Sequence, residues 1–102
     1  MPSFETGPVS GSAPTQIDVD TASKEVVAEN YSRVGLVLMN LSTGTVYLGF
    51  GTNAAVVGSG IPLLPSGGNW SMDDYTYTKE AINAIAHSNN SLLAIQEFVN
   101  RA

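Results

Sequence analysis

Cysteine is absent from this 102-residue chain, which excludes disulfides, thiolate catalysis and zinc–sulfur sites. Cations are nearly absent as well. Lys24, Arg33, Lys79 and Arg101 stand against nine acids, for a net charge of −5. Four scattered cations make no basic patch, so nucleic acid is not an expected partner. No apolar run approaches the length of a transmembrane helix, and Met1-Pro-Ser-Phe-Glu5 lacks the basic start and apolar core of a signal peptide. Neither a membrane partner nor export is therefore expected. Charged residues make up only 13% of the chain and hydrophobic ones 43%, the balance of one folded domain with surface left for contacts.

What is present is a series of short strands. Arg33–Asn40 is apolar on both faces, with Val34, Leu36 and Leu38 on one side and Val37 and Met39 on the other. Such a strand is expected in the middle of a sheet, covered on both sides. Thr45 to Phe50 alternates, with Val46, Leu48 and Phe50 on one face. Ser42, Thr43 and Gly44 between the two runs predict a β-hairpin. Gln16 to Asp20 and Lys24 to Ala28 read as short strands, and Ala54 to Val57 as another. Pro62 places the apolar run from Ile61 to Leu64 on an edge or outside regular pairing. Pro65, Ser66, Gly67 and Gly68 form a turn into an alternating segment from Asn69 to Met72. Glu80 to Ala86 fits a helical stripe and also a strand, and the short spacing to the next element favours the strand. Leu92 to Val99 is the last strand. Many short strands between turn signals indicate a sandwich or barrel.

Residues 1–14 differ in composition. Pro2, Pro8 and Pro14 are mixed with glycine and serine, and Phe4 and Val9 are the larger apolar side chains. The segment is expected not to fold alone: it either frays or serves as a flexible arm ordering on a neighbour, its prolines lowering the entropy lost on docking. Residues 15–102 then form a single β-sandwich domain.

Catalytic chemistry finds little support. Gly49, Gly51 and Ala54 match a loose dinucleotide fingerprint after a strand, but Gly58, Gly60 and Pro62 leave no helix to hold a pyrophosphate. His87 is the only histidine, and no serine sits in a nucleophile elbow. Asp73 and Asp74 lack the spacing of a calcium loop. Asn30, Asn40, Asn69 and Asn89 each open a glycosylation sequon, which without export means only a polar turn. Trp70, Tyr75 and Tyr77 form the one aromatic cluster, suited either to covering an open end of the core or to stacking on a sugar or partner. No catalytic residue, cofactor or metal is expected, and the chain is not read as an enzyme.

The order of motifs has a recognisable cadence. An arginine opens an apolar strand that ends in asparagine (Arg33 to Asn40). Val46-Tyr-Leu-Gly-Phe-Gly51 follows, then Gly58-Ser-Gly-Ile-Pro-Leu63, then Gly67-Gly-Asn-Trp-Ser-Met72, then Ala81-Ile-Asn-Ala-Ile-Ala86. Over Ile17 to Glu97 this resembles the capsid decoration (cement) proteins and related head modules of tailed bacteriophages. The resemblance implies a jelly-roll-like antiparallel β-sandwich, all-β, with an extended N-terminal arm and a homotrimeric assembly. It further implies a structural virion protein, made in the host cytoplasm and bound outside the head. There it would bridge neighbouring copies of the major capsid protein. Phe4, Pro8, Val9, Trp70, Tyr75 and Tyr77 are the candidate partner contacts. The other class that fits is a carbohydrate- or receptor-binding head-fibre module built on the aromatic cluster.

Overall fold

The computed structural model describes residues 9–72 and 78–100. Nine strands follow in order: β1 (Val9–Gly11), β2 (Thr15–Val19), β3 (Lys24–Val27), β4 (Arg33–Asn40), β5 (Val46–Phe50), β6 (Ile61–Leu63), β7 (Asn69–Ser71), β8 (Ile82–Ala86) and β9 (Ser91–Asn100). They form two antiparallel sheets. One has the order β1-β9-β4-β7, with β2 also on β9; the other has the order β3-β8-β5-β6. Because β4 pairs along one edge of β9, both β1 and β2 take its other edge. Val9–Gly11 lies against Phe98 to Asn100, and Thr15–Val19 against Ser91 to Ile95. The last part of the proline-rich segment is thus bound to its own sheet. Phe4 and Pro8 lie outside the described residues.

The core is the space between the sheets. Val19, Leu36, Leu38, Leu93 and Ile95 fill it from one side; Val27, Val46, Leu48, Leu63, Ile82 and Ala84 fill it from the other. Each set recurs at every second residue, the period that puts alternate side chains on one face of a strand. Ile82–Ala86 is a strand, because Ile82, Ala84 and Ala86 are all buried while Asn83 and Ile85 face the other way. Pro62 sits in β6 at the sheet edge, where its missing N–H breaks no ladder. Residues 54–57 form no strand.

The predicted hairpin is not formed. β4 pairs with β9 and β7, while β5 pairs with β8 and β6 in the opposite sheet. The reason is Asn40, which occupies the inward register after Leu36 and Leu38 and is 0% exposed. Its Nδ2 donates to the carbonyls of Gly44 (2.7 Å), Leu63 (2.8 Å) and Leu64 (3.2 Å). Its Oδ1 accepts from the Ser42 amide (2.9 Å) and hydroxyl (2.7 Å). A buried amide must satisfy its donors and acceptors, and here it does so only if the chain turns across the end of the sandwich. The Asn40 backbone also exchanges hydrogen bonds with the next crossing, Asn40 N–H to Gly68 O (2.7 Å) and Gly67 N–H to Asn40 O (2.8 Å). One asparagine therefore joins the β4–β5 and β6–β7 crossings.

At the opposite end of β4 stands Arg33, also 0% exposed. Its Nε donates to Glu97 Oε2 at 2.6 Å. Its other nitrogens donate to the carbonyls of Ala28 (2.7 Å), Thr78 (3.0 Å) and Glu80 (2.9 Å). Lys79 adds Nζ bonds to the carbonyls of Tyr31 and Arg33. The β3–β4 and β7–β8 crossings are thereby fastened to β9. A third junction lies at the Asn40 end, where Asn89 Oδ1 accepts from Thr21 N–H and Asp20 Oδ1 accepts from Asn90 N–H, each at 3.0 Å.

Two of the sequon asparagines have a plain structural use. Asn30 and Asn40 each accept the amide of the serine two residues on, the Asx-turn bond that this spacing allows.

Candidate functional site

The two outer faces of the sandwich differ. On the four-stranded sheet, Gly49 and Asn83 pair in the outward register, and the β5–β6 loop folds back over them. Asn83 Nδ2 donates to the carbonyls of Gly51 (3.2 Å) and Asn53 (2.7 Å), and the Ala55 amide donates to Ser23 Oγ (2.8 Å). Ala55 is 4% exposed. A Cβ on Gly49 would meet Ala55 Cα at 2.9 Å and the Ala54 carbonyl at 3.0 Å. Gly49 is thus the glycine that lets the loop lie flat on its own sheet. Gly49→Ala is expected to cost about 1–3 kcal/mol, the range for overpacking, and to speed hydrogen exchange at the Ala55 amide. Gly44→Ala, where a Cβ would meet nothing within 4 Å, is the control.

The five-stranded sheet carries no such cover from the described residues. Its outward register holds Val37 and Met39 on β4, and Leu92, Ala94 and Phe98 on β9. Phe98 lies over Gly35, where a Cβ would come within 3.3 Å of its ring. Met39 is 36% exposed, and Val37, Leu92, Ala94 and Phe98 are half-buried. Beside them opens a shallow groove of about 420 Å³, lined by Pro14, Gln16, Val37, Met39, Ala94 and Gln96, none of them titratable. The groove wall is fixed by Gln96, whose side-chain amide donates to the Ser12 carbonyl, and by Ser12 N–H, which donates to Glu97 O at 2.8 Å.

The residues singled out for chemistry are dispersed. His87 is exposed at the far end of β8, with the Tyr47 hydroxyl 3.4 Å from its Nε2 and the two rings edge-on at 5.7 Å. Asp20 accepts from a backbone amide and stands 3.7 Å from Lys24 Nζ in an exposed ion pair of little energetic weight. Asp73, Asp74, Tyr75 and Tyr77 lie outside the described residues. Trp70 is on β7 opposite Leu38, in the inward register, and its ring meets Phe50 at 5.2 Å between centroids. Val9 is 49% exposed and pairs with Asn100. Glu25, Glu29 and Glu80 border a small hollow of about 170 Å³ near Gly51. Even so, no group of three acidic, histidine or cysteine side chains among the described residues could hold a metal ion. The Glu29 carboxylate beside the exposed Tyr31 phenol raises its pKa above the usual tyrosine value, by hydrogen bonding first and charge second.

No protein-family model matches the chain, and comparisons with curated proteins and with solved structures find no significant similarity. The site must be argued from its own geometry. That geometry brings together Val37, Met39, Leu92, Ala94 and Phe98, residues that sequence reading did not single out as a site. For Val37 and Met39 the signal was nonetheless in the sequence, as the second apolar face of Arg33–Asn40.

Proposed function

We propose that the chain is a structural virion protein of a tailed bacteriophage, a decoration or cement protein on the outer surface of the head. In this reading its fold is a jelly roll, its copies form a homotrimer, and it bridges neighbouring copies of the major capsid protein without catalysing a reaction. The observation that carries the proposal is the nesting of strand pairs: β2 with β9, β3 with β8, β4 with β7 and β5 with β6. An eight-stranded ribbon paired first to last and wrapped into two sheets is the jelly-roll arrangement, which recurs in viral capsid and lectin domains. The residues behind the phage resemblance also have structural places in that ribbon. Arg33 and Asn40 fasten its corners, and Gly67 and Gly68 turn the β6–β7 crossing.

A cement subunit acts by mass action. It binds a surface that the assembled lattice presents, and each site held at 100 times its Kd adds about 2.7 kcal/mol to that state. Repetition over symmetry copies adds avidity. The test is co-sedimentation of the purified chain with heads of the encoding phage assembled without it. Saturation at a fixed ratio to coat subunits is expected, with a higher rupture temperature of the decorated heads. A chain that stays in the supernatant at every concentration removes the proposal. If, in that case, glycans quench Trp70 fluorescence saturably, the carbohydrate- or receptor-binding module takes its place.

A further inference from the structure

We infer that the outer face of the five-stranded sheet is the surface through which copies of this chain meet one another. An antiparallel sheet with one solvated face alternates apolar-in and polar-out. Here β4 and β9, the two interior strands, are apolar on both sides. The inner side is buried in the core, and the outer side shows Val37, Met39, Leu92, Ala94 and Phe98. A contiguous apolar patch of this kind marks a contact surface. The β5–β6 loop lies over the Gly49–Asn83 end of the other sheet, whereas no described segment is bonded over the centre of this one.

Charge identifies the occupant. The chain carries a net charge of −5, and any two copies repel. Of the strand residues in the outward register of this sheet, Asp18 alone is charged, and it sits on the edge strand β2. Two copies can therefore approach here without bringing their acids together. Among the described strand residues a cationic partner would find Asp18 as the one acid on this face, and a polyanion would find no cation. Strand rise and spacing make the strand face on the order of 500 Å², the scale of a small interface below the ~800 Å² per partner of a standard one. Gln16 on one side and Asn69 and Ser71 on the other flank the apolar centre with uncharged polar groups, the rim composition of a specific contact, and Gln96 is the polar side chain within it.

The inference rests on the reading above only in expecting that copies associate, and its test does not use heads. Light scattering of the full chain should give a multiple of 10.7 kDa at micromolar concentration. Met39→Lys, and separately Ala94→Glu, place a charge in the patch and should reduce the mass to that of one chain, with the far-UV circular dichroism unchanged. Val56→Lys, on the exposed loop at the other face, should leave the mass as it is. A wild-type chain that remains monomeric at all concentrations overturns the inference, since the occupant is then the chain's own N-terminal segment or another protein. Folded Met39→Lys and Ala94→Glu proteins that keep the multimer overturn it too, as does a Val56→Lys chain that dissociates equally. A multimer that fails to bind heads leaves this inference standing and removes the virion reading; a monomer that binds heads does the reverse.

Discussion

Arg33→Met is expected to lower the unfolding midpoint on the order of 20 °C. Arg33 is fully buried and its side chain meets four acceptors: the Glu97 carboxylate and the carbonyls of Ala28, Thr78 and Glu80. Methionine fills much of the volume and serves none of them. Removing one member of a buried pair costs about 3–5 kcal/mol, and the lower end applies here because Glu97 keeps 19% exposure. For a domain of this size each kcal/mol moves the midpoint by about 4–8 °C. Lysine is no substitute, since one ammonium cannot reach acceptors that the planar guanidinium divides between opposite edges. Adding Glu97→Leu to Arg33→Met should recover part of the loss by removing the stranded carboxylate. The three carbonyls stay unpaired, so recovery will be incomplete. Thermal unfolding of the two single variants and the double variant measures the coupling. Three additive midpoints would mean that the pair is not the fastening described.

Asn40→Asp is the second large effect, and its sign depends on pH. Asn40→Ala strands the buried Leu63 carbonyl and loosens those of Gly44 and Leu64, at about 1–3 kcal/mol for each buried group left unpaired. Aspartate keeps the shape but replaces the donor with an oxygen facing three carbonyl oxygens. Burial and these oxygens favour the neutral acid, so the introduced carboxyl titrates above the usual value of about 3.9 when folded. The folded state then holds a proton that the unfolded state has lost, so stability falls as pH rises through that interval. Urea unfolding should find Asn40→Asp less stable than Asn40→Ala at pH 7, with the gap narrowing or reversing near pH 4. An Asp variant as stable as wild type at pH 7 would show that the amide is not the corner of the sandwich.

These two residues also mark where the sequence was legible. Val19, Ile82, Ala84, Leu93 and Ile95 fall on a period of two; alternation located β2, and the short spacing to the next element chose strand over helix for β8, each within a residue or two. Pro62 announced an edge or an unpaired segment because a missing N–H is a local fact, and the edge is what forms. Partner choice is not local. Ser42, Thr43 and Gly44 carry turn chemistry that serves a two-strand hairpin and a crossing between sheets equally well. The discriminating sign was a polar Asn40 in the inward phase of Leu36 and Leu38, whose amide needs partners from a distant segment. Trp70 was read with two tyrosines as covering an open end of the core or stacking on a partner; its pairing with Leu38 turns it toward Phe50 and the core, and the tyrosines lie outside the described residues.

The contact face was half-legible for a related reason. Apolar residues on both sides of Arg33–Asn40 predict an interior strand covered on both sides; the strand is interior, and its own core covers one side. Within the described residues the second cover is missing, and periodicity cannot tell a cover made by the same chain from one made by another. The same limit applies to β9, where Leu92, Ala94 and Phe98 point outward. Seen from the sequence alone, both strands belong to a larger core.

Methionine oxidation reads that second cover most directly, in the unaltered chain. Met39 lies in the middle of the face that the described residues leave uncovered, at 36% exposure, and Met72 packs against the core as an internal reference. Peroxide converts an accessible thioether to its sulfoxide, and peptide mapping follows each residue separately. If copies meet through this face, Met39 will oxidise rapidly in dilute solution and slowly at concentrations where the chain is multimeric, while Met72 stays slow throughout. A Met39 rate that is fast and unchanged across the whole range, while light scattering records a multimer, would contradict the assignment of the outer face of the five-stranded sheet as the contact surface.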